Sequence, residues 1–258
     1  MRTRRTSVGW RRALALGGAT LLVAALAGAA ARADGSQGAQ PIKSGAGPGW
    51  PKTLQPSDFV RRVDNPWLPF VPGDKWRYRG VDTSGRFHDN ERVTHRRARI
   101  EGVRVTPVHD VVRKGGKPRE ITNDFYAQDR HGNIWYFGEN TRELDRHGHV
   151  TSREGSFKAG RDGARPGVLF PGHPRVGQKA RQEYYKGHAE DHFKVLSTSG
   201  HVTSPFVSSH HAVRTREWSP LEPNLFDNKW YVRGVGDVKE KTVRGPKEKL
   251  HLVSFHHG

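Results

Sequence analysis

A chain of 258 residues without a single cysteine excludes disulfides, thiolate catalysis and every cysteine-based metal site. Its 44 Lys and Arg against 26 Asp and Glu leave a formal charge of +18, which points to anionic partners such as wall polymers or lipid head groups. The basic residues are spread through nearly every segment and follow no finger or helix–turn–helix pattern, so no specific nucleic-acid partner is read.

The chain opens with Thr3-Arg4-Arg5 and Trp10-Arg11-Arg12, runs uncharged over 13–31, and reaches Ala31-Arg32-Ala33 just before Asp34. Basic, apolar and small-residue regions in that order make residues 1–33 a secretory signal peptide. The paired arginines fit the twin-arginine route, although Ser7 and Val8 stand where that signal usually carries a large apolar pair. The expected location is outside the cell or at its envelope, and a monomer is expected.

Residues 34–55 are rich in Gly, Ser, Gln and Pro and read as a flexible linker. A short helical element is expected over 56–63, with Ser57 as N-cap. Three prolines between Asn65 and Gly73 forbid both a helix and a central strand there.

From Asp74 onward short alternating runs are separated by turn residues. Trp76 and Tyr78 alternate with charges, the pattern of a half-buried strand. Residues 103–112 form another run, and Lys114-Gly115-Gly116-Lys117 offers a hairpin turn. The tetrapeptide Asp-Arg-His-Gly occurs twice, at 129–132 and 145–148, and reads as two hairpin turns of one meander. Asp129-x-x-Gly-Asn-Ile-Trp135 is close to an aspartate-box pattern but has one extra residue, so it too is read as a turn capped by an aromatic. Residues 160–178 form a Gly/Pro break, after which strand texture resumes at 179–185, 191–196, 211–218, 229–235, 238–243 and 249–255. The expected fold is all-β over 56–258: a single curled antiparallel meander of about ten strands, a half-barrel with a short helical element at its N-terminal side.

Three blocks also resemble a known group. Asn65-Pro-Trp-x-Pro-x-x-Pro-Gly-x-x-Trp-x-Tyr78 resembles the opening of a family of uncharacterised secreted bacterial proteins of actinobacterial type. Phe125-Tyr-Ala-Gln-Asp-x-x-Gly-Asn-Ile-Trp-Tyr-Phe-Gly-Glu139 and Thr215-Arg-Glu-Trp-x-Pro-Leu-Glu-Pro223 are similar to later blocks of that family. More distantly the chain resembles TapB-like and lipoprotein-localisation-factor-like half-barrels. That resemblance implies a curled sheet around a hydrophobic groove and an apolar or amphipathic ligand.

Three constellations could carry chemistry. The rings of Trp76, Tyr78, Phe125, Trp135, Phe137, Tyr184, Trp218 and Trp230 form either a plain sheet core or a groove for an apolar ligand. His188, Glu190 and His192 would share one face if they lay on a strand, a donor set that zinc or copper accepts; a charged turn is the plainer reading. Glu217 and Glu222 flank Ser219-Pro220, while Asp124, Glu139 and Glu183 are further acids close to aromatics, and a convergent pair could serve hydrolysis. No nucleophile elbow, phosphate loop or zinc-protease motif is present, and no cofactor is implied. The chain therefore reads as a secreted, non-enzymatic envelope protein holding an amphipathic ligand or an anionic wall component. The alternative is a secreted hydrolase using acids in the same concavity.

Overall fold

The structure, a computed structural model, describes residues 40–258. The expected signal peptide over 1–33 and the start of the expected linker lie outside the described residues. The first strands are β1 (Ile42–Lys43), β2 (Thr53–Leu54), β3 (Lys75–Asp82), β4 (Gly85–Val93), β5 (Ala98–Ile100) and β6 (Val103–Lys114). Then come β7 (Lys117–Gln128), β8 (Ile134–Leu144), β9 (Val150–Ser152), β10 (Phe157–Lys158), β11 (Arg165–Phe170) and β12 (Lys179–Arg181). The last are β13 (Glu183–Tyr184), β14 (His192–Thr203), β15 (Ser208–Trp218), β16 (Phe226–Val232), β17 (Gly236–Arg244) and β18 (Lys249–His256).

The protein is all-β. Sixteen strands form one antiparallel sheet in the order β12-β14-β15-β16-β17-β18-β3-β4-β6-β7-β8-β11-β13, with β5, β9 and β10 attached beside β6 and β8. Local chemistry explains most of the pairings. β3 alternates buried and exposed residues along its whole length, as a strand with one covered face must. Gly115 and Gly116 both take positive φ, at 57° and 77°, which is what a two-residue turn matching the strand twist requires between β6 and β7. Both Asp-Arg-His-Gly turns close hairpins, after β7 and after β8. In each, an Asp side chain accepts the backbone N–H groups two and four residues on.

The sheet curls until its two edges almost meet. Phe170 on β11 touches Tyr231 on β16, with ring centroids 4.5 Å apart, although these strands stand far apart in the sheet order. Phe70 stacks on Tyr126 and packs edge-on against Trp76, filling the space between β7 and β3. The result is a near-barrel with a seam between β12 and β13, which are separated in the chain by Gln182 alone.

Three expectations need correction. Residues 40–55 are not a loose linker. Ile42, Ala46 and Leu54 are core residues, and the segment staples the seam: Gly45 N–H donates to Pro166 O, Ala46 O accepts from Arg181 N–H, and Trp50 Nε1 donates to Lys179 O. The small residues there permit close approach; a Cβ on Gly45 would stand 2.5 Å from Tyr184 Cβ. The expected helical element is a single 3-10 turn over Pro56–Asp58, in which Asp58 accepts the Gln55 N–H at 2.7 Å and Ser57 lies inside the turn. The Gly/Pro break contains a strand, β11; its Pro166 sits where β11 passes from β8 to the two-residue β13.

Candidate acidic cavity at the seam

The fold sorts charge by face. Among the described residues ten acids are buried, and no lysine, arginine or histidine is. Part of this inner charge lines a cavity of about 140 Å³ beside the seam. Nine carboxylates face it: Asp124, Glu139, Glu183, Asp191, Glu217, Glu222, Asp227, Glu240 and Glu248. Lys229 is the one cation in the lining, and Tyr126, Tyr136, Trp218, Leu169, Leu225 and Pro246 supply the ring and apolar surface.

Strand geometry brings these groups together. Asp124 and Glu139 are direct partners across β7 and β8, as are Tyr126 and Tyr136, whose rings stack at 4.8 Å. The register slips between them, Phe125 facing Gly138 and Tyr126 facing Tyr136, so Phe137 is the extra residue of a β-bulge. Strict alternation would put Tyr136 and Glu139 on opposite faces; the bulge resets the parity and both enter the cavity. The Tyr136 hydroxyl lies 2.5 Å from Asp124 Oδ1 and 2.8 Å from Glu139 Oε2. On the facing wall Lys229 Nζ lies 3.0 Å from Glu217 Oε2 and 3.5 Å from Glu240 Oε2. Tyr231 and Thr215 donate to Glu217 Oε1.

Burial, with neighbouring carboxylates adding to it, raises the pKa of four of these acids. Burial pushes Glu139 up to about 8, with the Asp124 charge adding to it. Burial, then Asp191, Glu139 and Asp124, holds Glu183 well above the ordinary carboxylate range. Asp191 is pushed to about 7 and Asp227 to about 6, burial leading in both. Tyr136 is raised as well, by burial and then by Asp124 and Glu139, and so stays a donor.

All five acids singled out in the sequence, Asp124, Glu139, Glu183, Glu217 and Glu222, face this one cavity. Asp191, Asp227, Glu240, Glu248 and Lys229 were not foreseen, because nothing local marks them. The aromatic set divides. Trp76, Tyr78, Trp135 and Phe137 are at most 3% exposed and belong to the core. Phe125 packs against that core. Tyr184 is clamped between the Arg165 and Arg181 guanidiniums at the seam, and Trp230 lies under Lys239. Of the eight, Trp218 alone lines the cavity, stacked on His192. Trp135 and Phe137 point away from Tyr136, to the face where Phe59 packs on both rings.

The His188, Glu190, His192 set does not converge as a ligand triad. His188 lies in a turn and faces Glu154, Glu190 accepts the Gly187 N–H, and the His192 ring nitrogen meets the Glu190 carbonyl. The alternation argument fails because only His192 is on a strand. Among the described residues, the group whose ligand atoms fall within 4.8 Å of one another is instead Asp89, Glu91 and Asp110, all buried, on β4 and β6. The opening Asn65-Pro-Trp67 is architectural: Asn65 bonds Gly132 O and the Trp67 N–H, and Gln128 accepts the Asp64 and Asn65 N–H groups.

No protein-family model and no curated protein matches the chain. The solved structures similar to it include two bacterial proteins. One is a presumed exported protein with a YmcC-like fold from Bacteroides fragilis, 12% identical, with a TM-score of 0.43 over 74% of this chain and 99% of that one. The other is a presumed lipoprotein from Parabacteroides distasonis, 11% identical, with a TM-score of 0.40 over 74% of this chain and 98% of that one.

Proposed function

We propose that this is an exported, non-enzymatic binding protein that holds a small organic cation, an amine with an apolar body, in the acidic cavity. The observation that carries this is the sign inversion: nine carboxylates and one lysine line the cavity of a chain whose formal charge is +18. A field of that sign in a low-dielectric wall concentrates cations and repels anions. Lys229, held between Glu217 and Glu240, is an internal example of the group such walls accept. The rings and aliphatic groups favour a ligand with an apolar part, in keeping with the amphipathic class read from the sequence. An organic ammonium suits the lining better than a metal ion, because the tight three-carboxylate group lies elsewhere, at Asp89, Glu91 and Asp110.

Export rests on the leader over 1–33. The anionic wall component is better matched by the basic exterior than by the cavity, and would tether the protein at the envelope. Catalysis is the second reading, favoured by one observation: Asp124 and Glu139 meet on one hydroxyl, and burial raises Glu139 to about 8, which suits it to act as a general acid in hydrolysis.

Titration calorimetry of the full chain with 1,4-diaminobutane, an alkylammonium and a size-matched carboxylate tests the reading. Saturable heats for the amines alone are expected, lost in a Glu217→Gln, Glu222→Gln double variant. Heats for the carboxylate and none for the amines would refute it, and turnover of a glycoside panel would favour the second reading.

A further inference from the structure

A phenol has one proton to donate, yet the Tyr136 hydroxyl stands within hydrogen-bond distance of two carboxylates, Asp124 Oδ1 and Glu139 Oε2. With both acids ionised, one of those contacts would set oxygen lone pairs against each other in a buried place. Satisfying both requires a second proton, carried by a carboxyl group. Burial raises the Glu139 carboxyl to about 8, and on that ground the proton is assigned to Glu139. Its carboxyl hydrogen donates to the Tyr136 oxygen, and the Tyr136 hydrogen donates to Asp124.

The surroundings keep that proton in place. Tyr126 faces the trio of Asp124, Tyr136 and Glu139 from β7, Glu183 faces it from β13, and Asp191 lies beside it at the residue before β14. Thr141, on the same strand as Glu139, donates a hydrogen bond that favours the anion. Lys229, on β16, is paired with Glu217 and Glu240 on the facing wall. A cation arriving in the cavity would bring positive charge beside these carboxyl groups.

We infer that the cavity takes up its cationic ligand in exchange for the proton shared by Asp124, Tyr136 and Glu139, so that binding is coupled to proton release. The inference rests on the cation-binding reading above and adds its regulation. The balance is simple: the ligand brings positive charge, Glu139 becomes a carboxylate, and the proton leaves to solvent. By linkage, the affinity for the cation rises with pH while Glu139 is protonated in the free protein, and levels off once it is ionised.

Calorimetry with 1,4-diaminobutane at pH 7, where both ammonium groups keep their charge, decides it. Repeating the titration in buffers of different ionisation enthalpy counts protons released, and about one per bound ligand is expected for a single exchanging carboxyl. Glu139→Gln is expected to bind more weakly and release none. Asp124→Asn, which removes the neighbouring charge, is expected to cut the release by more than half and covers the case of a Glu139 variant that fails to fold. Binding with no buffer-dependent heat would overturn the exchange while leaving cation binding intact; no binding of the diamine would overturn the underlying reading. An infrared band of a protonated carboxyl in the ligand-free protein, absent in Glu139→Gln, tests the proton by itself, and its absence from the wild type would also overturn the inference.

Discussion

Asp124 and Glu139 stand directly opposite each other on β7 and β8, and the hydroxyl that joins them belongs to Tyr136, three residues from Glu139 on its own strand. That junction depends on the bulge at Phe137, and it stores acid in the interior of a basic protein. Its first consequence is a pH profile of stability.

Glu139 is raised to about 8 from an ordinary 4.5, chiefly by burial. Between those values the folded protein keeps a proton that the unfolded chain has released, so stability from this group is full below about 4.5 and is lost as pH rises through 8. Glu183, Asp191 and Asp227 are shifted the same way. Urea unfolding should therefore show a lower midpoint at pH 8.5 than at pH 5.5, with a slope from Glu139 of up to about 1.4 kcal/mol per pH unit. Glu139→Gln should flatten that part of the profile. A midpoint that climbs with pH over this range would contradict the charge arrangement.

The two Asp-Arg-His-Gly turns should differ in weight despite their identical sequence. Asp129 is buried and accepts four hydrogen bonds, from the His131 and Asn133 backbone, Asn133 Nδ2 and Trp135 Nε1. Asp129→Ala should cost about 2–4 kcal/mol, because buried donors lose their acceptor. Asp145→Ala, in the exposed copy, should leave the thermal midpoint close to wild type. Equal losses in differential scanning would disprove the distinction.

Closure of the seam should be sensitive to Gly45. A Cβ there meets Tyr184 Cβ at 2.5 Å, so Gly45→Ala must lift the segment that carries the bonds to Pro166 and Arg181. Hydrogen exchange should quicken at the Gly45 and Arg181 amides while the β6–β7 hairpin keeps its protection. Unchanged exchange at Arg181 would mean that the segment does not hold the seam.

Zinc should find no stoichiometric site at His188 and His192. Their rings face Glu154 and Trp218 respectively, and the residue between them uses its carboxylate on a backbone N–H. Calorimetric heats for zinc should be the same in wild type and in a His188→Ala, His192→Ala double variant. A tight site abolished by that variant would restore the triad.

Much of the strand content could be read locally. Alternation at Trp76 and Tyr78, paired glycines at 115–116 and the repeated Asp-Arg-His-Gly turns each act over a few residues, where side-chain period and turn chemistry decide the outcome. The acids at 124, 139, 183, 217 and 222 could be singled out in the same way, as carboxylates beside rings. What the chain alone determined was an antiparallel β domain, with a secretory leader ahead of it as an expectation. Only the tertiary structure decided that Gly45 and Ala46 would bridge the two edges, that one bulged residue would turn Tyr136 and Glu139 to the same side, and that nine carboxylates would gather around Lys229 in one cavity. The bulge depends on the register of two neighbouring strands, and the other two outcomes depend on which strands meet across the closed sheet, where the partners lie dozens of residues apart in the chain.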